Sequence, residues 1–143
     1  KAPTFPESVA DGTIATWHKQ PGEACSADEL IVVTNPEITA VTDALKTIKL
    51  AEEMGKDVRG VIVTRVRGNR NEMALSNIKD MLDTDIIGVV PEDRNVLASL
   101  KGKDAVIHNY PRSKASRAYK RIAAKIANVG YREPSLLVRV FGR

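Results

Sequence analysis

The stretch from Asp28 to Met54 constrains the fold of this chain more than any other. Leu30, Ile31, Val32 and Val33 form an apolar, mostly β-branched run without a polar break. Such a run suits a strand covered on both faces, as in a parallel sheet. Thr34-Asn35-Pro36-Glu37 follows as a turn, in which Asn35 bonds its own backbone and Pro36 fixes φ at the helix start. Ile38, Val41, Leu45, Ile48, Ala51 and Met54 then recur every three or four residues until Gly55 stops the helix. A buried strand feeding a helix through a short loop is the first half of a βαβ unit.

Everything downstream repeats that grammar. Val58 to Val66 reads as a second buried strand, and Arg67 to Arg70 as a loop. Asn71 is expected to cap a helix with Met73, Ala74, Ile78, Met81 and Leu82 on one side. Asp85 to Val90 is a third strand, closed by Pro91-Glu92-Asp93, and Glu92 and Asp93 are placed to cap a short helix from Asn95 to Leu100. Ala105 to Ile107 is expected to be a fourth, short strand. Ser113 then starts a long helix with Ala115, Ala118, Tyr119, Ile122, Ala123 and Ile126 inward, ending by Gly130. Alternating strands and helices predict an α/β fold, a partial parallel sheet of about four strands with flanking helices and right-handed crossovers.

The first 27 residues are of another kind. Pro3 and Pro6 keep the start extended, Thr13 to His18 alternate in the strand manner, and Gln20-Pro21-Gly22-Glu23 is a turn. They predict an antiparallel β-hairpin segment packed on the sheet or extending it, with Trp17 in the core.

Composition excludes several classes of function. Cys25 is the single cysteine, so there is no internal disulfide and no cysteine-built zinc cluster. It has no basic neighbour to lower its pKa and reads as a loop or core thiol. No apolar run approaches the ~18 residues that span a bilayer, and no secretory signal is present. Lys1 in place of an initiator Met suggests a fragment or a trimmed product. The net charge of +4 conceals an asymmetry, because residues 112–143 are strongly basic with Glu133 as their one acid. A basic end on an acidic body points to an anionic partner. Lys114, Arg117, Lys120, Arg121 and Lys125 lie on a helix whose other face is Ala and Ile, which makes them a solvated face. Tyr110 and Tyr119 supply no stacking platform, so nucleic acid is not an expected partner. His18 and His108 read as strand residues without a second metal ligand at useful spacing.

Two family resemblances meet near Leu30. Residues 2 to about 32, from Ala-Pro-Thr-Phe-Pro-Glu-Ser-Val-Ala through Asp28-Glu29-Leu30-Ile31-Val32, resemble the N-terminal half of a lipoyl domain, as in the succinyltransferase component of bacterial 2-oxoglutarate dehydrogenase complexes. Residues from about 26 to 143 resemble the C-terminal half of the MinD family, ParA-like cell-division ATPases, in its archaeal form. The carriers are Asp28 to Glu37, Gly60-Val61-Ile62-Val63 and Ile87-Gly88-Val89-Val90-Pro91-Glu92-Asp93. Asp-Glu-Leu-Ile-Val belongs to both patterns, which is what a crossover between the two would use. The chain therefore reads as a chimera, engineered or shuffled, with residues 1–32 from a lipoyl domain, 28–130 from a MinD-like half-domain and 131–143 as a tail, together one folded unit.

The resemblances also imply what is missing. The lipoyl-bearing Lys would fall at position 38, which is Ile38. The family's ATP site needs a Gly-rich loop ending in Gly-Lys-Thr, yet Gly55-Lys56 and Gly102-Lys103 are each followed by Asp. The expectation is no enzyme and no cofactor. What the MinD resemblance leaves is a base-binding edge at Thr64, Arg65, Pro91, Glu92 and Asp93, where the family's Asn-Arg is Thr64-Arg65 here. Alternatively these are ordinary strand-end loops. The tail suggests a short amphipathic helix with Leu136, Leu137, Val140 and Phe141 on one face and Arg139 and Arg143 opposite, similar to the MinD membrane-targeting tail and suited to an anionic membrane surface. The alternative is that Leu136 to Phe141 form an extra strand or pack on the body. A sheet lacking its inner strands exposes an edge, to be covered by the hairpin or used for a homo-oligomer or an exchanged N-terminal arm. Parentage implies a cytoplasmic setting.

Overall fold

The computed structural model describes residues 29–131. The predicted N-terminal hairpin, with Trp17, His18 and Cys25, and the predicted tail helix from Leu136 to Arg143 lie outside the described residues. Within them the order is β1 (Glu29–Thr34), α1 (Ile38–Glu53), β2 (Asp57–Val66), α2 (Leu75–Leu82), β3 (Ile86–Pro91), α3 (Arg94–Lys101), α4 (Val106–Asn109) and α5 (Lys114–Ile126). The strands form one parallel sheet in the order β1-β2-β3.

Among the described residues three strands stand where four were expected, because Ala105 to Ile107 belong to a helical turn and not to the sheet. An apolar run of three cannot by its period distinguish a strand from a buried turn of helix. Here Asp104 decides: its carboxylate accepts the Ala105 N–H at 2.7 Å, and the His108 and Asn109 N–H groups close back onto the Ala105 carbonyl. His108 is thus on a helix, not a strand, with Nδ1 3.1 Å from Asp104 Oδ1. Donation from Ala105, reinforced by His108, holds the Asp104 carboxyl below its ordinary value.

One face of the sheet carries α1 and α2. Val32, Val61 and Val63 pack there against Val41, Ala44, Ile48, Ile78 and Leu82. Helix α1 stops as expected, with Gly55 at φ +67 and the Lys56 N–H returned to the Ala51 carbonyl. Its predicted stripe holds in the middle only, since Ile38 and Met54 at the two ends are exposed. Asn71 does not cap α2. The helix begins later, at Leu75 behind Ala74, and Asn71 sits in a turn in which its N–H meets Asn69 Oδ1. The preceding loop is instead tied to the sheet end, with the Met73 N–H on the Pro36 carbonyl.

The other face carries α5, which packs on β3 through Val90, Ala115, Ala118 and Ile122. Gly88 allows this approach, because a Cβ there would lie 2.5 Å from Ile122 Cδ1. Of the residues expected inward, Ala123 is exposed and Tyr119 is 39% exposed, while Ser116 and Ala124 are buried. Helix α5 reaches only as far as Ile126, and Arg59 Nη2 donates to that residue's carbonyl at 3.0 Å. Among the described residues α5 covers β3 and not β1, so the first strand is covered there on one face only. Val32 and Thr34 are buried, whereas Val33 is 60% exposed.

Candidate functional site

At the carboxyl ends of β2 and β3 the chain must leave the sheet, and in open α/β sheets this is where ligand crevices form. The ladder breaks there: Val63 pairs with Val89 and Val66 with Pro91, leaving Thr64 and Arg65 as an irregularity between them. Arg65 takes φ +59, which an L side chain rarely adopts. The Thr64 hydroxyl donates to the Thr34 carbonyl at 3.1 Å, tying the bulge to β1.

Pro91 ends β3 and turns the chain away, and the Glu92 N–H returns to the Val66 carbonyl at 2.9 Å. Glu92 Oε2 is buried without a hydrogen bond and lies 3.5 Å from Arg65 Nε and 3.9 Å from Arg67 Nε. One carboxylate oxygen is thus held between two guanidinium groups. Asp93 has a different task. Its Oδ1 accepts the Asn95 N–H and its Oδ2 the Ala115 N–H, both at 3.0 Å, so one side chain caps α3 and also holds the start of α5. Burial pushes the Asp93 carboxyl up, but the N–H donors of Ala115 and Asn95, the Ser113 hydroxyl and the Lys114 N–H outweigh it and hold the group below its ordinary value.

The five residues singled out in the sequence come together. Thr64, Arg65, Pro91, Glu92 and Asp93 line a cleft of about 400 Å³, completed by Val90, Val96, Leu97, Leu100 and Tyr119. The expectation that Glu92 and Asp93 both serve as local caps is half met, since Glu92 turns to the arginines. Arg67 was not singled out. Its signal was available, because it lies two residues beyond Arg65. Leu97, Leu100 and Tyr119 could not be found that way, as their place in the cleft depends on how α3 and α5 pack.

The cleft offers a polar floor of arginine and carboxylate beside apolar walls, which can hold a flat, partly polar ring. Among the described residues that line it there is no Ser, Cys or His nucleophile. Among the described residues no cluster of His, Cys, Asp or Glu is arranged to hold a metal ion. Both Gly-Lys pairs sit at the wrong helix end for a phosphate cradle. Gly55-Lys56 follows the last turn of α1, and Gly102-Lys103 that of α3. Carbonyls and the negative end of the helix dipole point there, whereas a phosphate needs an N-terminus. Ile38, at the position of the lipoyl lysine, is the first residue of α1. The basic residues of α5 lie on its solvent side, with Arg117 and Lys120 half-buried. No helix among the described residues is long and apolar enough to cross a membrane.

No family model matches the chain. Individual proteins do, in two groups. An uncharacterised ATP-binding protein of Methanocaldococcus jannaschii is 42% identical over 106 residues, which is 74% of this chain and 40% of that protein. The dihydrolipoyllysine-residue succinyltransferase component of the 2-oxoglutarate dehydrogenase complex of Pseudomonas aeruginosa is 47% identical over 77 residues, 54% of this chain and 16% of that protein. The succinyltransferase likeness falls on the N-terminal part and the ATP-binding likeness on the C-terminal part. The two matched lengths together exceed the chain, so the likenesses overlap. Among solved structures, the septum site-determining protein MinD of Pyrococcus horikoshii, complexed with Mg-ADP, superposes with a TM-score of 0.65 at 26% identity, over 69% of this chain and 41% of that one. The described residues share the fold of the matching part of MinD, and the sequence likeness of the chain is double. The chain spans about two fifths of the length of the ATP-binding protein it matches.

Proposed function

We propose that this chain is a recombination product of two unrelated parents, engineered or shuffled, with no catalysis of its own. In this reading residues 1–32 derive from a lipoyl domain, residues 28–130 are a MinD-like half-domain, and residues 131–143 are a basic amphipathic tail. One observation carries it: the join keeps scaffold from each side and neither reactive group. Support comes from Ile38 opening α1 where a lipoyl lysine would stand at a hairpin tip. It comes equally from both Gly-Lys pairs lying behind helix C-termini. The test is direct. Intact mass after expression with lipoate ligase should show no lipoyl adduct, and phosphate release from Mg-ATP should equal the no-protein blank. Adduct or turnover above blank overturns the reading.

A second reading is favoured by the cleft itself, in which all five predicted edge residues converge. Here the chain keeps a base-binding edge, with Glu92 accepting from a ring amino group and Leu97 and Leu100 beneath the ring. Calorimetry with ATP, ADP and adenosine separates the two readings. Adenosine binding that is lost in Glu92→Ala supports the second, and silent titrations up to millimolar ligand support the first. The same parentage makes the tail a membrane element. Flotation with anionic vesicles, with and without residues 131–143, tests this, and equal binding by both forms removes it.

A further inference from the structure

Helix α3 borders the cleft at the carboxyl ends of β2 and β3 with an apolar ridge. Leu97 and Leu100 line the cleft yet are 61% and 65% exposed, and half-buried Val96 and Tyr119 of α5 extend the apolar lining. Leucines three residues apart lie together on one side of a helix, so they form a contiguous patch and not scattered surface apolar groups.

The charge around this patch has one sign. Helix α3 contains no Asp or Glu. Arg94, three residues before Leu97, and Lys101, four residues after it, share its side of the helix. Both are exposed, and neither makes an ion pair among the described residues. The acids that line the cleft are already engaged. Glu92 lies between Arg65 and Arg67, two cations to one carboxylate, and Asp93 accepts the Asn95 and Ala115 N–H groups. Positive charge is therefore left in excess around the leucines.

We propose that this cleft docks an acidic amphipathic helix of a protein partner, with apolar residues laid on Leu97 and Leu100 and carboxylates meeting Arg94 and Lys101. Charge complementarity sets the sign of the partner. The leucine spacing matches the i, i+3, i+4 ridge by which a helix fills a groove. The surface is concave, about 400 Å³ in volume, which suits inserted side chains better than a flat lipid interface. A second copy docked face to face would set the same cations against one another. The surface needs neither catalysis nor a bound ring, so it stands under both readings of the function.

The test is selection of a displayed library of random 16-residue peptides on the full chain. Enriched peptides should be acidic, with apolar residues at i, i+3 or i+4, and i+7. The most enriched one, followed by fluorescence anisotropy, should bind at least tenfold more weakly to Leu97→Glu and to the Arg94→Glu/Lys101→Glu double variant, with far-UV circular dichroism unchanged. Leu100→Glu provides a second reading of the apolar contact. Enrichment of basic or unpatterned peptides overturns the proposal, as does binding that none of these variants weakens. Flotation of the full chain with phosphatidylglycerol vesicles that is lost in Leu97→Glu would make lipid the occupant and also overturn it. A dimer in sedimentation that Leu97→Glu dissociates would do the same in favour of a second copy.

Discussion

Asp93 is where a functional and a structural reading of the same residue can be separated by measurement. Its two oxygens accept from Asn95 at the start of α3 and from Ala115 at the start of α5, each at 3.0 Å. Loss of one N-cap costs about 1 kcal/mol, with a range of roughly 0.5–2. Asp93→Ala removes both acceptors and should cost about 2 kcal/mol. In urea, where the slope is about 2 kcal/mol/M for a small protein, the midpoint should fall by about 1 M. Asp93→Asn keeps one acceptor and should lose about half as much. Ser113 also caps α5, through the Ser116 N–H at 3.1 Å, so Ser113→Ala should cost more in the Asp93→Ala background than alone. The carboxyl is held below its ordinary value in the fold, so its contribution is present above the unfolded-state pKa, near 3.8, and is lost as pH falls through the lower folded value. Asp93→Ala should therefore flatten the pH dependence of stability below about pH 4. Equal midpoints for Asp93→Ala and the unmodified protein, read by circular dichroism, would refute the double-cap argument. If the ligand affinity of the cleft changed with no change in midpoint, Asp93 would be a binding residue instead.

Further outcomes follow from the same packing. Gly88→Ala places a methyl group against Ile122 and should cost about 1–3 kcal/mol by overpacking. Ile122→Ala should then destabilise Gly88→Ala by less than it destabilises the unmodified protein, and strict additivity in chemical denaturation would contradict the contact. Ser116 is buried and its hydroxyl bonds the Val106 and Tyr110 carbonyls, so Ser116→Ala should cost about 1–3 kcal/mol and speed amide exchange in α4 before other elements. Random duplex DNA should show no salt-dependent shift with the full chain, and a mobility shift that weakens with salt would mark the basic side of α5 as a nucleic-acid surface.

The sequence by itself determined the elements whose cause is local. The β1 and β2 runs, the Gly55 stop, the Asp93 and Ser113 caps and the 3.6-residue stripe in the middle of α1 were all legible, because each depends on residues within a turn or two of one another. The double likeness was legible for the same reason, being carried by contiguous strings. The cleft was legible in part: its two loops are short motifs, but Leu97, Leu100 and Tyr119 join it only through the packing of α3 and α5. Tertiary structure alone decided the rest. Ala105 to Ile107 joined a helical turn because Val106 finds burial beside α5, its carbonyl accepting from the Ser116 hydroxyl, and not at a sheet edge. Among the described residues Val33 stays exposed, because α5 packs on β3, where Gly88 leaves space for Ile122, and not on β1. Hydrophobicity states that a residue seeks cover, and only the assembled layers determine whether cover is within reach.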